Sequence, residues 1–379
     1  MIATSKAAIQ DDVVIYGGGM AGALLAKALA PEFRVTLVDP NEYFEVPMSV
    51  PRSLVKPGFA DAAIIPFAAA LPGVAHVRGA LVEMHPEGGL VQLKNGKEEL
   101  LKGRVSVLAT GSKFSNALMR AIDGASVRER KEFYVQYHRR IVASQNILIV
   151  GGGPIGVEVA GEIIENHPAK KIIILEAGPR VLAGTSEAAA AQAAKVLKAS
   201  GVTVLTDERL ECADSTVAEV LSGAGEALTS RGQSIPYDLL IWCVGGKPNT
   251  AYMAQHYAST LNQAGRIRVS PDLRVVGSDT VFALGDITDL DENKMAWHIG
   301  GQIRTAAHNI RAILTRAGRP SRLKAHKPQT GNPMMAVTLG SRNGVLHLPV
   351  IGVVRSPFVA RVAKSSHMLV PKFRKALGV

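Results

Sequence analysis

Two sets of three glycines are spaced to hold a dinucleotide. Gly17, Gly19 and Gly22 form one G-x-G-x-x-G run, and Gly151, Gly153 and Gly156 form a second. In such a run the first glycine makes a tight turn, the second lets backbone approach a pyrophosphate, and the third lets helix pack closely on strand. The free N–H groups at the start of the following helix then face the phosphates. A carboxylate closes each unit. Asp39 lies twenty-two residues after Gly17, and Glu176 lies twenty-five after Gly151. Both are placed to accept hydrogen bonds from an adenosine ribose. Three more glycine turns, Thr110-Gly111, Gly245-Gly246 and Gly285-Asp286, each follow an apolar run. Ligands meet parallel strands at such C-terminal ends.

These turns need elements to carry them. Residues 12–16 and 35–38 read as strands around a helical pattern that ends at Ala30, before Pro31. Residues 146–150 and 171–175 repeat the plan around a helix reaching Asn166. Residues 105–109, 239–244 and 280–284 read as further buried strands, and 128–144 as an amphipathic helix joining the two units. Beyond Pro320 the pattern changes. Residues 334–339 and 345–350 read as strands with Asn343-Gly344 as their hairpin turn, and Ser356-Pro357 as the N-cap and first residue of a short helix. The expected fold is α/β, with two Rossmann-type dinucleotide-binding domains and a small C-terminal α+β domain. A chain of 379 residues suits that count.

The net charge of +11 is unevenly spread. From Asn293 to the end there are fifteen Lys and Arg and no Asp or Glu, so the first 292 residues hold 28 basic against 32 acidic residues. The basic end suits an anionic membrane surface, an acidic partner or nucleic acid, and a solvated face or a homodimer contact equally. The two cysteines, Cys212 and Cys243, make no closely spaced pair, which excludes a C-x-x-C dithiol and fits a reducing compartment. No metal-ligand spacing stands out. No eighteen-residue apolar stretch and no signal-peptide pattern occurs, and Ile2 excludes N-myristoylation. The expected location is cytoplasmic, with peripheral membrane contact allowed.

The two glycine units, the Thr110-Gly111 turn and the late Gly285-Asp286 pair together resemble the two-dinucleotide-binding-domain flavoprotein superfamily. The match runs from residue 12 to about 315. The resemblance implies that the first unit holds FAD and that an NAD(P)H domain is inserted into it. The implied boundaries are 1–113 with 250–320 for FAD, 114–249 for NAD(P)H and 321–379 for the basic C-terminal domain. It assigns Asp286 to the ribityl chain, and Lys294, Met295 and Ala296 to the loop and helix start facing the flavin pyrimidine. With Gly17, Gly19, Gly22, Asp39, Thr110, Gly111 and Gly285, the FAD set takes in Pro47, Arg52 and Val82. The NAD(P)H set is Gly151, Gly153, Gly156, Glu158, Glu176 and Gly245. His298 beside Trp297 reads as a packed or capping histidine.

The tail is similar to a narrower group, the apoptosis-inducing-factor-like proteins of the ferroptosis-suppressor type, which resemble type II NADH dehydrogenases. The shared pieces are Met335-x-Val337-x-x-Gly340, Asn343-Gly344 and Ala363-Lys364-Ser365. Leu369 departs from the group, whose members often carry Phe there. The likeness implies an FAD-dependent NAD(P)H:quinone oxidoreductase that passes electrons directly from flavin to acceptor. It places Glu158 and Lys364 near the flavin as catalytic candidates. Glu158 also reads as an early-helix acid facing the dipole, and Lys364 as one more tail cation. Glu176 favours NADH over NADPH by repelling a 2′-phosphate, with Arg180 near enough in sequence to soften the preference. A reductase for a small acidic electron-carrier protein and a nucleic-acid-binding role are the competing readings. The last residues, with Phe373 and Leu377 among Lys372, Arg374 and Lys375, are expected to seat among lipid head groups.

Overall fold

Val13, Val14, Ile15 and Tyr16 are all wholly buried, as a strand covered on both faces must be. They belong to Asp11–Tyr16, the middle strand of a five-stranded parallel sheet. From edge to edge this sheet runs Val281–Ala283, Gly103–Leu108, Asp11–Tyr16, Val35–Val38 and Ala75–Val77. The second sheet repeats the order with Thr203–Leu205, Lys171–Leu175, Asn146–Val150, Ser234–Trp242 and Ser222–Leu228, the last strand antiparallel. In both, the chain starts in the middle, builds one side, then crosses to the other. That reversal opens a crevice at the C-terminal ends of the central strands. The computed structural model describes residues 11–114, 116–121, 123–211, 222–315, 323–330 and 334–379, so Cys212 lies outside the described residues.

Two short strands, Ser112–Lys113 and Lys247–Pro248, pair antiparallel where the chain leaves the first sheet and where it returns. All strands of the second sheet fall between them in sequence. The joining helix, Val127–Ala143, opens with a capping box in which Ser126 and Glu129 satisfy each other's backbone N–H. Arg130 on this helix is 1% exposed. It pairs with Glu45 at 3.0 Å and donates to the carbonyls of Ala117 and Leu118, which fixes the helix to the first module.

A three-stranded antiparallel sheet, Met335–Leu339, Asn343–Leu348 and Gly352–Val354, forms the C-terminal unit. Its first hairpin corrects the sequence reading. Leu339 pairs with Asn343, so the turn is residues 340–342, with Gly340 at φ +80°. Asn343-Gly344 lies within the strand. Gly344 is needed for packing there: a Cβ would stand 2.8 Å from the Val337 carbonyl oxygen and 2.9 Å from Ser365 Oγ. Ser356 does cap the short helix Pro357–Ala360, accepting from Val359 N.

The unit lies on the second-module helix, Pro154–Asn166, where Gly161 lets the strand come close. A Cβ on Gly161 would sit 2.6 Å from Leu339 Cα. The chain then runs back to the first module. The final helix, Val370–Leu377, packs its Phe373 and Leu377 into that module's core, with Phe373 5.9 Å from the Phe44 ring. They are 6% and 0% exposed, so they do not seat among lipid head groups as the sequence suggested. The pair that looked like an amphipathic anchor is the core face of the last helix.

Candidate active site

The two glycine turns have the same geometry. Gly17 and Gly151 take φ +107° and +106°, a region that favours glycine. A Cβ on Gly22 would stand 1.8 Å from the Gly17 oxygen, and one on Gly156 1.9 Å from the Gly151 oxygen. The middle glycines, Gly19 and Gly153, face open space with nothing within 4 Å of a Cβ. Each is the N-cap of its helix and offers no side-chain cap, so the first N–H groups of Met20–Leu29 and Pro154–Asn166 remain for an anion. A tight turn, a closely packed helix and an open middle position are what a pyrophosphate needs.

The closing acids are held alike. Asp39 accepts from Gly18 N at 2.7 Å and from Asn41 N at 2.9 Å. Glu176 accepts from Gly152 N at 2.6 Å and from Gly178 N at 2.7 Å. Each carboxylate is thereby aimed across the mouth of its own turn. Arg180 donates to the Ala183 and Thr185 carbonyls at 3.2 and 3.0 Å, which ties its guanidinium to its own loop. NADH is therefore expected to exceed NADPH in kcat/KM by at least about 10-fold, or about 1.4 kcal/mol. Glu176→Ala should narrow that ratio, and equal rates with both nucleotides in the unaltered protein would exclude the role given to Glu176.

Of the remaining FAD candidates, Gly285 lies beside the helix that follows the first turn. Gly285, at φ +81°, would bring a Cβ within 3.7 Å of Ala21 and of Ile299, so its turn meets the helices Met20–Leu29 and Ala296–Thr315. Its N–H donates to Gln302 Oε1 at 2.7 Å. Asp286 accepts from Ser112 Oγ at 2.9 Å and remains half-buried. Gly111 is open at φ +67°, whereas the Thr110 hydroxyl is committed to the Asn249 carbonyl and Tyr252. Lys294 donates to Leu290 O at 3.0 Å, and burial pushes its ammonium below the usual lysine range. Met295 is half-buried and Ala296 opens the long helix. His298 is 4% exposed; its ring makes no hydrogen bond, and Nδ1 stands 3.6 Å from Glu292 Oε2, a packed histidine. Val82 sits at a bulge where the ladder of Gly79–His85 with Gly88–Leu93 skips it, leaving its backbone outside the pairing. Gly245 is exposed with open space around it, and half-buried Pro47 opens a single turn leading into the short helix Val50–Val55.

Arg52 lies in a buried ion pair that joins the first module to the second-module helix. It is 3% exposed, pairs with Glu162 at 2.6 Å and donates to the Ser366 carbonyl at 3.1 Å. Burial pushes the Glu162 carboxyl up, and the Arg52 hydrogen bond opposes it. Glu162 is one of three acids along the second-module helix that reach neighbouring segments. Glu158 pairs with Lys364 at 2.5 Å and accepts from Thr338 N at 2.9 Å. Glu165 bonds both the Ser341 amide and its hydroxyl. The structure thus brings Glu158 and Lys364 together, 206 residues apart, in a pair whose side chains are 8% and 10% exposed. Lys364 also donates to the Ala336 carbonyl at 2.9 Å. Sequence spacing singled out neither Glu162 nor Glu165. Their signal was the i, i+4 and i+7 recurrence of glutamate on a mostly apolar helix.

Cys243 is a free thiol, fully enclosed, and burial pushes its pKa up to about 12, so it holds its proton. Sequence spacing showed no metal-ligand set, yet the fold gathers Glu83, His85 and His256, whose donor atoms lie within 4.8 Å of one another.

Residues 11–311 match the Pyridine nucleotide-disulphide oxidoreductase family. Ferroptosis suppressor protein 1 of Taeniopygia guttata is 30% identical over 97% of this chain and 95% of its own. Apoptosis-inducing factor homolog B of Dictyostelium discoideum is 28% identical over 97% of this chain and 96% of its own. Among solved structures, NDH2 from Plasmodium falciparum in complex with NADH superposes with a TM-score of 0.72 at 14% identity, covering 97% of both chains. The paired glycine turns, each with its aimed carboxylate, fit two dinucleotides, one in each module. The chain belongs to the pyridine nucleotide-disulphide oxidoreductase family, within its apoptosis-inducing-factor and ferroptosis-suppressor branch, as an FAD-dependent NAD(P)H oxidoreductase.

Proposed function

We propose that this protein oxidises NADH and passes the electrons directly to a quinone-type acceptor at an anionic membrane surface. The observation that carries the reading is the outer face of the C-terminal unit. Val350 and Ile351 at the second hairpin tip are 96% and 73% exposed, and Phe358 and Val362 beyond it are 73% and 59% exposed. Arg355 and Arg361 beside them are exposed too, and no acid occurs after Glu292. Basic charge alone would serve an acidic carrier protein. Exposed large apolar groups among cations suit the acyl-chain boundary, where each basic residue contributes about 1 kcal/mol. Among the described residues no helix is long and apolar enough to cross a membrane.

The same stretch of chain reaches inward. Val362 and Lys364 lie on one π-helical segment, Arg361–Ser365, with Val362 outside and Lys364 buried against Glu158. One segment therefore separates the apolar face from the buried pair. Bound FAD and NADH supply the hydride chemistry, and the protein supplies position and charge. Glu158 stands two residues after Gly156 and, with Lys364, forms a hydrogen-bonded pair able to hold or release a proton for an acceptor that takes up two. Cys243 takes no part, being enclosed and protonated. Replacing Cys212 and Cys243 together with Ala is expected to leave most of kcat in place. Collapse of kcat with flavin retained would reveal a redox disulphide.

The test measures NADH oxidation with a soluble quinone, a ferredoxin and a rubredoxin. The quinone should give the highest kcat/KM, and a faster rate with either carrier protein would overturn the reading. Liposome co-sedimentation should rise with anionic lipid and fall with salt. Val350→Asp with Ile351→Asp should reduce it without touching the core.

A further inference from the structure

The three-stranded meander Gly79–His85, Gly88–Leu93 and Glu98–Leu101 carries a cluster that the dinucleotide sites do not use. Glu83 and His85 stand two apart on one strand, so both side chains leave the same face. The bulge between Leu81 and Glu83 resets the pairing just before them and re-aims that face. His256 comes from the return segment, after the turn Ala251–Met253. Its Nε2 stands 3.0 Å from Glu83 Oε1, and His85 Nε2 stands 3.1 Å from the same oxygen. The two imidazole rings are 4.6 Å apart.

We propose that Glu83, His85 and His256 form a binding site for a divalent transition-metal ion of the zinc type. Two imidazole nitrogens and one carboxylate are the donors such an ion prefers. Ligands at 2.0–2.1 Å from a tetrahedral ion are about 3.3 Å apart, so the two carboxylate–imidazole spacings need to open by only a few tenths of an ångström. All three donor atoms already lie within 4.8 Å of one another. Without an ion, both Nε2 atoms must be protonated to bond one carboxylate oxygen. With an ion, three lone pairs point at one centre and the set carries a single negative charge. The side chains of Glu83, His85 and His256 are 17%, 32% and 38% exposed, which leaves a coordination position to water. The site would join segments 173 residues apart, stapling the meander to the chain returning from the second module. Tyr252, at the start of that return, bonds Thr110 at 2.8 Å, so the staple holds a segment that also packs beside the first module's glycine turns.

The test uses untagged, full-length protein with its flavin bound, titrated calorimetrically with zinc chloride in a non-chelating buffer. One saturable site per chain is expected. His85→Ala and His256→Ala should each weaken it by more than the roughly 10–100-fold that loss of an outer-shell partner causes, and Glu83→Gln should also weaken it while flavin content stays constant. Saturating zinc should raise Tm by several degrees in the unaltered protein and by none in the double histidine variant. Should His85→Ala lower the folded yield, His256→Gln, at the more exposed histidine, gives the same reading. Absence of a saturable site, or a site of unchanged affinity in the folded histidine variants, overturns the proposal. None of these readouts involves an electron acceptor, so they stand or fall separately from the quinone reading.

Discussion

Replacing Lys364 with methionine is expected to destabilise the protein by about 3–5 kcal/mol, because it leaves the Glu158 carboxylate buried with no opposing charge. The pair is 2.5 Å apart, and both side chains are almost enclosed. Thr338 N would remain as a donor to Glu158, which limits the loss without cancelling it. Removing both charges together, as Glu158→Gln with Lys364→Met, should cost much less than the sum of the single changes, since no orphan charge is left. Urea denaturation of the four proteins in the cycle measures this coupling. The double variant also separates structure from chemistry. If the pair passes protons to the acceptor, quinone turnover in this stable protein should fall at least about 10-fold while the flavin is still reduced rapidly by NADH under anaerobic conditions. Full quinone turnover in the double variant would mean that the pair only fastens the C-terminal unit to the second module.

The second large effect concerns the two glycine turns. A Cβ at Gly22 or Gly156 would lie under 2 Å from a backbone oxygen of its own turn, which neither a rotamer change nor a flexible neighbour can relieve. Gly156→Val should spoil only the second cradle. That protein should purify yellow, bind NADH at least about 100-fold more weakly, equivalent to about 2.7 kcal/mol, and fail to bleach at ordinary NADH concentrations. Gly22→Val should spoil only the first cradle and yield protein without flavin. Absorbance of the purified proteins and a nucleotide titration separate the outcomes, with circular dichroism to show that each is folded. A yellow Gly22→Val protein that no longer binds NADH would reverse the assignment of the modules.

Much of this molecule was determined by local sequence. The glycine runs, their closing acids Asp39 and Glu176, and the strands around them follow from steric rules acting within about forty residues. A turn at φ near +107° and a helix packed within 2 Å of a missing Cβ leave a signature that no other residue type can carry. The Ser356 cap and the Ser126–Glu129 box were legible for the same reason, being bonds between neighbours in sequence. Tertiary structure decided what depends on partners far along the chain. Asn343-Gly344 has the composition of a turn, but Gly344 is small because the Ser365 segment lies on it, so pairing moved the turn to 340–342. Phe373 and Leu377 have the spacing of a membrane-facing stripe, and the same spacing serves a core-facing one. Packing against Phe44 and the first module's core settled which it is, and the exposed apolar surface is Val350, Ile351 and Phe358. Arg52 meets Glu162 from 110 residues away, a partner that local sequence does not announce. Lys364 meets Glu158, and His256 meets Glu83, on the same principle: a buried charge or a shared proton is resolved by whatever the fold brings within 3 Å, and local sequence says nothing about a partner 206 or 173 residues distant.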